Sequence, residues 1–298
     1  MKILVFGGAG FIGNAIVKKL ITHGHTVAIA DNLISGDLKN IETLPTKNYI
    51  IDITNKTSFS QIDFNPDIVI HLAFPTPLCD RKIQNQFENI ASTGMLNVLE
   101  YTKNSCNKII YGSSISVYGI PDKLPITERN KISPLLIYGA NKYLCELYLK
   151  CYNAQFGLQY NILRISDTFG EFDKRKNAIN NFLKSFIKNN NILISGNGEQ
   201  IRTFTYVEDI ANAFRLCLNK LKNTEYIIAS DHHISMNNLI KYLEVIFDKK
   251  VEVIYDMNNK DNRNYIFNSD KFKNDFDNFE TCGFDEGIKK TINYLKTI

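Results

Sequence analysis

Tyr138 and Lys142 stand four positions apart in Tyr-Gly-Ala-Asn-Lys, a spacing that on a helix puts phenol and ammonium on one face. An unperturbed phenol titrates near pH 10 and is a poor base at neutral pH; a cation beside it favours the phenolate, so the pair reads as a proton acceptor able to work on an alcohol. Upstream, Ser113, Ser114 and Ser116 lie in Tyr-Gly-Ser-Ser-Ile-Ser-Val-Tyr (111–118), directly after an apolar run. A serine hydroxyl at such a strand end can hydrogen-bond the oxygen on which the base acts. Ordinary loop serines would read the same way, so this stretch has weight only beside the tyrosine and the glycines described next.

Gly7, Gly10 and Gly13 form Gly-x-x-Gly-x-x-Gly, with Phe11 and Ile12 inside it, between an apolar run and an apolar periodicity. Missing β-carbons there let a backbone approach a pyrophosphate at the positive end of a helix. Asp31 closes the next apolar run, where its carboxylate can accept hydrogen bonds from adenosine ribose hydroxyls and repel a 2′-phosphate. That favours NAD over NADP. Asp52 ends a third run and could meet the adenine amino group, or simply be an exposed strand-end carboxylate.

The elements that must position these groups are legible as an alternation. Ile3–Phe6, Thr26–Ala30, Tyr49–Ile51, Ile68–Leu72, Lys108–Tyr111 and Asn161–Ile165 are short β-branched runs suited to a parallel sheet covered on both faces. Between them, Ile12, Ile16, Val17, Leu20 and Ile21, and Phe87, Ile90, Met95, Val98 and Leu99, recur at helical period. The pattern predicts right-handed βαβ units and a doubly wound Rossmann sheet over residues 1–166. After that the alternation loosens into an Asn- and Lys-rich helix near Ala178–Lys188 and a glycine turn at Gly196 and Gly198. Residues 167–298 are expected to form mainly a smaller α/β substrate domain, with some segments returning to the first.

Charge and composition narrow the partners. Across 298 residues, 35 basic against 31 acidic side chains give a net +4, too even to argue for nucleic acid or an anionic membrane. Cys79, Cys106, Cys145, Cys151, Cys217 and Cys282 show no Cys-x-x-Cys pair and no zinc-finger spacing to histidine, which gives no reason to expect a metal and suits reduced thiols in a cytoplasm. The opening apolar stretch is too short for a signal-peptide core, and no run approaches membrane-spanning length. His71 is expected to be a packed strand-end residue, and His232 with His233 a solvated loop.

With these motifs in place, the sequence resembles the extended short-chain dehydrogenase/reductases, specifically the nucleotide-sugar epimerases and dehydratases. GGAGFIG at 7–13, DNL at 31–33, HLA at 71–73, YGSSISVYG at 111–119, YGANK at 138–142 and GNGEQIRTFTYVEDIA at 196–211 follow the family's order and approximate spacing. The resemblance implies that Tyr138 is the base, that Lys142 binds the nicotinamide ribose and tunes the phenol, and that Ser114 polarises the substrate oxygen. It adds Asn32, Ile53, Leu72 and Ala73 to the NAD contacts. Ser114, Ser116, Tyr138, Asp167, Arg202 and Arg263 become contacts to a nucleoside-diphosphate sugar, the two arginines on its diphosphate. Departures stand at Asp167, where the family commonly has Asn, at Phe169-Gly170-Glu171 for its Tyr-Gly-Pro, and at Phe74 for a small residue.

The reaction so implied is 4-epimerisation through a 4-keto sugar. A reductase of a 4-keto-6-deoxy sugar nucleotide, using external NADH or NADPH, is the alternative. A 4,6-dehydratase ranks lower, because Ile115 and Ser116 stand where that branch has Asp and Glu, and a silent nucleotide sensor lower still, because Tyr138 and Lys142 are intact. The resemblance also implies a homodimer through helices near Phe87–Tyr101 and Tyr138–Tyr152, with Leu144, Leu147, Tyr148 and Cys151 either its face or intradomain core, and a role in surface-glycan precursor synthesis.

Overall fold

The structure, a computed structural model, describes residues 1–76, 81–258, 263–277 and 279–297; Cys79 and Asp261 lie outside them. Strands β1 (Lys2–Phe6), β2 (Thr26–Asp31), β3 (Lys47–Ile50), β4 (Ile68–His71), β5 (Lys108–Ser114) and β6 (Gln159–Ile165) belong to the large sheet. Apart from the edge strand β3, where Ile50 is exposed, their apolar runs are buried on both faces. Ile3 and Val5 of β1 pack with Val17 and Leu20 on one side, while Leu4 and Phe6 pack with Met95, Val98 and Leu99 on the other. Helix α1 (Phe11–Thr22) covers the first face; α2 (Met95–Ser105) and α3 (Ile137–Phe156) cover the second. Gly157, at φ 70°, ends α3 in the left-handed conformation that a Cβ disfavours.

The helix expected over 87–101 is not continuous. A single turn, Phe87–Asn89, runs into a π turn at Ile90–Gly94 before α2 begins. A Cβ on Gly94 would lie 2.9 Å from the Ile53 side chain, so the glycine brings this bulged segment against the loop after β3, and π turns favour such functional surroundings.

Past Ser166 the chain enters a second lobe. It holds β7 (Asp167–Phe169), α4 (Ala178–Lys188), β8 (Ile192–Ser195) and β9 (Ile201–Tyr206), then returns to the first with α5 (Val207–Cys217) and β10 (Thr224–Ile228). Ile210 and Phe214 of α5 pack in the core beneath α1, and β10 completes a parallel seven-stranded sheet in the order β10-β6-β5-β4-β1-β2-β3. The second lobe ends with β11 (His233–Ser235), α6 (Met236–Phe247), β12 (Val253–Asp256) and α7 (Phe284–Leu295). Its sheets are β11-β9-β7 and β12-β8, over a core of Phe169, Phe182, Phe186, Phe204, Leu239 and Phe284.

The solvated loop expected at His232 and His233 is found in part: His233 is exposed but opens β11, and His232 lies in the preceding loop with its ring stacked on Phe284 at 4.1 Å. Among the described residues no helix is long and apolar enough to cross a membrane, and no cluster of His, Cys, Asp or Glu could hold a metal ion.

Candidate active site

One cleft of about 1100 Å³ runs along the carboxyl edge of the large sheet and under the second lobe, where open α/β sheets bind ligands. Its first wall is the β1–α1 turn. Gly7 has φ 83°, and a Cβ on it would sit 2.6 Å from the Ala73 nitrogen; at Gly13 a Cβ would fall 2.1 Å from the Gly7 oxygen. Only glycine permits this packing of the turn against Leu72 and Ala73. Gly10 is the N-cap of α1, whose first turn carries no acidic side chain, so the helix's positive end faces the cleft unneutralised.

Asp31 lines the same wall at the end of β2. Its Oδ2 accepts from the Ala9 amide at 3.0 Å and its Oδ1 from the Leu33 amide at 2.8 Å. Burial pushes this carboxyl up, and those amides draw it back. Phe11, Ile12 and Asn32 line the cleft beside it, as do Asp52 and Ile53. Asp52 is exposed and caps its own turn, accepting from the Thr54 amide and hydroxyl at 2.9 and 2.8 Å. The glycine cradle, the bare helix end and the ribose-height carboxylate suit a dinucleotide with an unphosphorylated adenosine ribose.

The middle of the cleft holds Ser114, Tyr138 and Lys142. Ser113 and Ser114 end β5 pointing different ways. The Ser113 hydroxyl donates to Glu146 Oε1 at 2.6 Å, and that buried carboxylate takes Arg164 Nε at 3.0 Å and Nη2 at 2.7 Å. Arg164 in turn donates to the Tyr118 hydroxyl at 2.7 Å. Ser114 donates to the Ser116 hydroxyl at 3.0 Å and accepts the Ser116 amide at 3.1 Å, capping the turn 115–117. Helix α3 docks on that turn through Gly139, where a Cβ would lie 2.4 Å from the Ser116 oxygen.

Lys142 is buried, donates to the Gly112 carbonyl at 2.8 Å, and lies 4.7 Å from the Phe74 ring centroid, 5.0 Å from Tyr111 and 5.9 Å from Tyr138. Burial brings its ammonium down to about 8, with Cys145 and Glu146 opposing. Burial pushes the Tyr138 phenol up to about 12, against the Ser114 hydroxyl and the Arg175 guanidinium. Phe74 and Phe87 meet the Tyr138 ring edge-on at 5.6 and 6.0 Å. His71 is buried with Nδ1 unpartnered among the described residues and is held neutral, down to about 3, by burial and by Lys142.

Across the cleft, Asp167 opens β7 and Arg202 lies on β9, both lining it. Arg202 donates to the Arg263 carbonyl at 2.6 Å and lies 5.1 Å from the Tyr265 ring centroid. Arg263 is not among the residues lining the cleft; it borders a separate depression with Ile120–Leu124, and its backbone carbonyl accepts from Arg202. Arg175 takes a place in the cleft that no motif spacing marks. It bonds Asp173 through Nε at 2.7 Å and Nη2 at 2.8 Å, donates to the Thr168 carbonyl at 2.5 Å, and stacks 4.8 Å from the Phe11 ring centroid.

The sequence model of the NAD dependent epimerase/dehydratase family matches residues 3–229. A putative UDP-glucose 4-epimerase of Methanocaldococcus jannaschii is 36% identical, covering 99% of this chain and 98% of that protein. The UDP-glucuronate 4-epimerase of Thermodesulfobacterium geofontis is 30% identical over 98% of this chain and 95% of its own length. Among solved structures, the UDP-glucose 4-epimerase of Thermotoga maritima with UDP-glucose superposes at TM-score 0.90 and 29% identity, covering 100% of this chain and 99% of that one.

Proposed function

The chain belongs to the NAD dependent epimerase/dehydratase family, and from that premise we propose that it inverts the C4 hydroxyl of a nucleoside-diphosphate hexose through a transient 4-keto sugar. UDP-glucose is the proposed substrate, as the M. jannaschii and T. maritima proteins are named for it. The observation that carries the reading is the sharing of one cleft by the glycine cradle, the Ser114–Tyr138–Lys142 centre and Arg202.

Gly7, Gly10 and the first turn of α1 would hold the pyrophosphate of NAD, Asp31 its adenosine ribose and Lys142 its nicotinamide ribose. When bound there, NAD would supply reversible hydride acceptance at C4. Tyr138 takes the C4 hydroxyl proton and gives it back, while Ser114 hydrogen-bonds the same oxygen. Lys142 keeps positive charge beside the phenol as the proton moves, and Phe74 and Phe87 keep water from its ring. Arg202 holds the diphosphate. No acid follows Ser114: Ile115 packs toward Val117 and Tyr118, and Ser116 bonds Ser114, so expelling water at C6 lacks its proton donor there.

A cytoplasmic location and a homodimer through α2 and α3 belong to the same proposal. Of the candidate dimer face, Leu147 and Cys151 are exposed while Leu144 and Tyr148 pack inward, so only the first two are offered to a partner.

The test is to denature freshly purified protein, assay the supernatant for NAD, and incubate native protein with UDP, dTDP, GDP and CDP hexoses without added cofactor. Released NAD with a C4-inverted sugar is expected. NADH or NADPH consumption only on a 4-keto-6-deoxy sugar nucleotide would overturn the epimerase in favour of the reductase.

A further inference from the structure

The sugar end of the cleft carries a carboxylate of its own. Ser114 on β5 pairs in register with Ile165 on β6, and Asp167 follows two residues later at the same carboxyl edge. Adjacent strands lie ~4.8 Å apart, so Asp167 stands beside the strand end that presents the reacting centre. Asp167 pairs with Phe204 across β7 and β9. Alternation along β9 puts Arg202 and Phe204 on the cleft side and buries Thr203 and Thr205. A sugar running from Ser114 and Tyr138 toward a diphosphate at Arg202 therefore passes Asp167.

The Asp167 side chain is exposed to the cleft. Desolvation in the cleft raises its carboxyl, and the Arg202 and Arg175 guanidinium groups draw it back toward the charged form. Arg175 is neutralised by its two bonds to Asp173, and Arg202 is the group a diphosphate would occupy. With a nucleotide sugar bound, Asp167 is left as the uncompensated charge at the sugar.

We propose that Asp167 is a charge filter: it accepts hydrogen bonds from the hydroxyls of a neutral hexose and rejects a sugar bearing a carboxylate. This rests on the reading of the cleft as a nucleotide-sugar site. Two carboxylates a few ångströms apart in a partly desolvated cleft repel strongly enough to change affinity roughly 100-fold. Asparagine keeps the shape and an acceptor but removes the charge.

The experiment titrates holoprotein with UDP-glucose and UDP-glucuronate by calorimetry, for wild type and Asp167→Asn, with thermal melting to establish that the variant is folded. The wild type is expected to bind UDP-glucose roughly 100-fold tighter, and Asp167→Asn to narrow that ratio at least tenfold, by tighter UDP-glucuronate binding. Equal wild-type affinities, or a ratio unmoved by the substitution, overturn the filter while leaving the nucleotide-sugar reading intact. Binding of neither ligand overturns the assignment of UDP-sugars to this cleft, and the filter with it.

Discussion

Replacing Glu146 by alanine should destabilise the protein far more than any surface substitution. The carboxylate is fully buried and takes three donors, from Ser113 and from two nitrogens of Arg164, itself 2% exposed. Alanine leaves a guanidinium in the core without its counter-charge, and breaking a buried pair in this way costs about 3–5 kcal/mol. At about 2–4 °C per kcal/mol for chains of 150–250 residues, the melting temperature should fall by roughly 6–20 °C. Scanning calorimetry on purified Glu146→Ala reads this directly. Changing both partners, Glu146→Leu with Arg164→Met, removes the stranded charge together with the desolvation it requires, so the double variant should melt above Glu146→Ala. A single variant within 2 °C of wild type, or a double variant below it, would refute the idea that the pair is an interdependent charge clamp between β5, β6 and α3.

Ser114→Ala should lower kcat by ~10²-fold with little change in melting, while Ser113→Ala should spare most turnover and cost about 1–3 kcal/mol, because Glu146 loses a donor; the reverse pattern would mean the two serines exchange roles. Tyr138→Phe should reduce turnover by ~10³-fold yet release as much NAD on denaturation as wild type, and retained turnover would remove Tyr138 as the base. Asp209 accepts the Cys282 amide at 2.6 Å, and burial pushes its carboxyl up to about 6. A group raised on folding contributes stability that is fully present below its unfolded value near 4 and is lost as pH rises through about 6. Urea melts of Asp209→Asn should therefore lack part of the decline in stability that wild type shows between pH 4 and 6, and identical slopes would count against it.

The sequence discloses the parts of the site that local geometry controls. The β1–α1 turn is legible because Gly7 and Gly13 occupy places a Cβ would overfill, and Asp31 because it ends an apolar run. Tyr138 and Lys142 are legible because one helical turn joins them. What depends on long-range packing is not. Nothing near Arg175 says that its guanidinium stacks on Phe11, far back in the chain, and a Lys-Arg-Lys run reads as solvated charge. The resemblance already singles out Ser114, but why Ser113 is withdrawn is visible only in the structure, where Glu146 takes its hydroxyl together with Arg164 from another strand. Arg263 borders the depression at Ile120–Leu124 and is not among the residues lining the cleft, a placement that no local pattern announces, and His232 is stacked on Phe284 of α7. The π turn at Ile90–Gly94 interrupts an apolar period that continues in register on either side, so the pattern reads straight through it.

The single residue between β6 and β7 has a mechanical consequence. Ser166 joins the two lobes without a loop: its amide donates to the Ile228 carbonyl at 3.1 Å, its hydroxyl and that of Thr205 are 2.6 Å apart, and the Ser230 amide donates to Thr205 at 2.8 Å. Swinging one lobe from the other would break this seam, whereas domains that close on ligands bend at a few residues able to absorb large dihedral changes. The cleft is thus braced at this strand junction rather than hinged there. If the proposed epimerisation holds, a ketone presenting its opposite face would pivot against these braced walls, and the clearance they leave would set which sugars can turn.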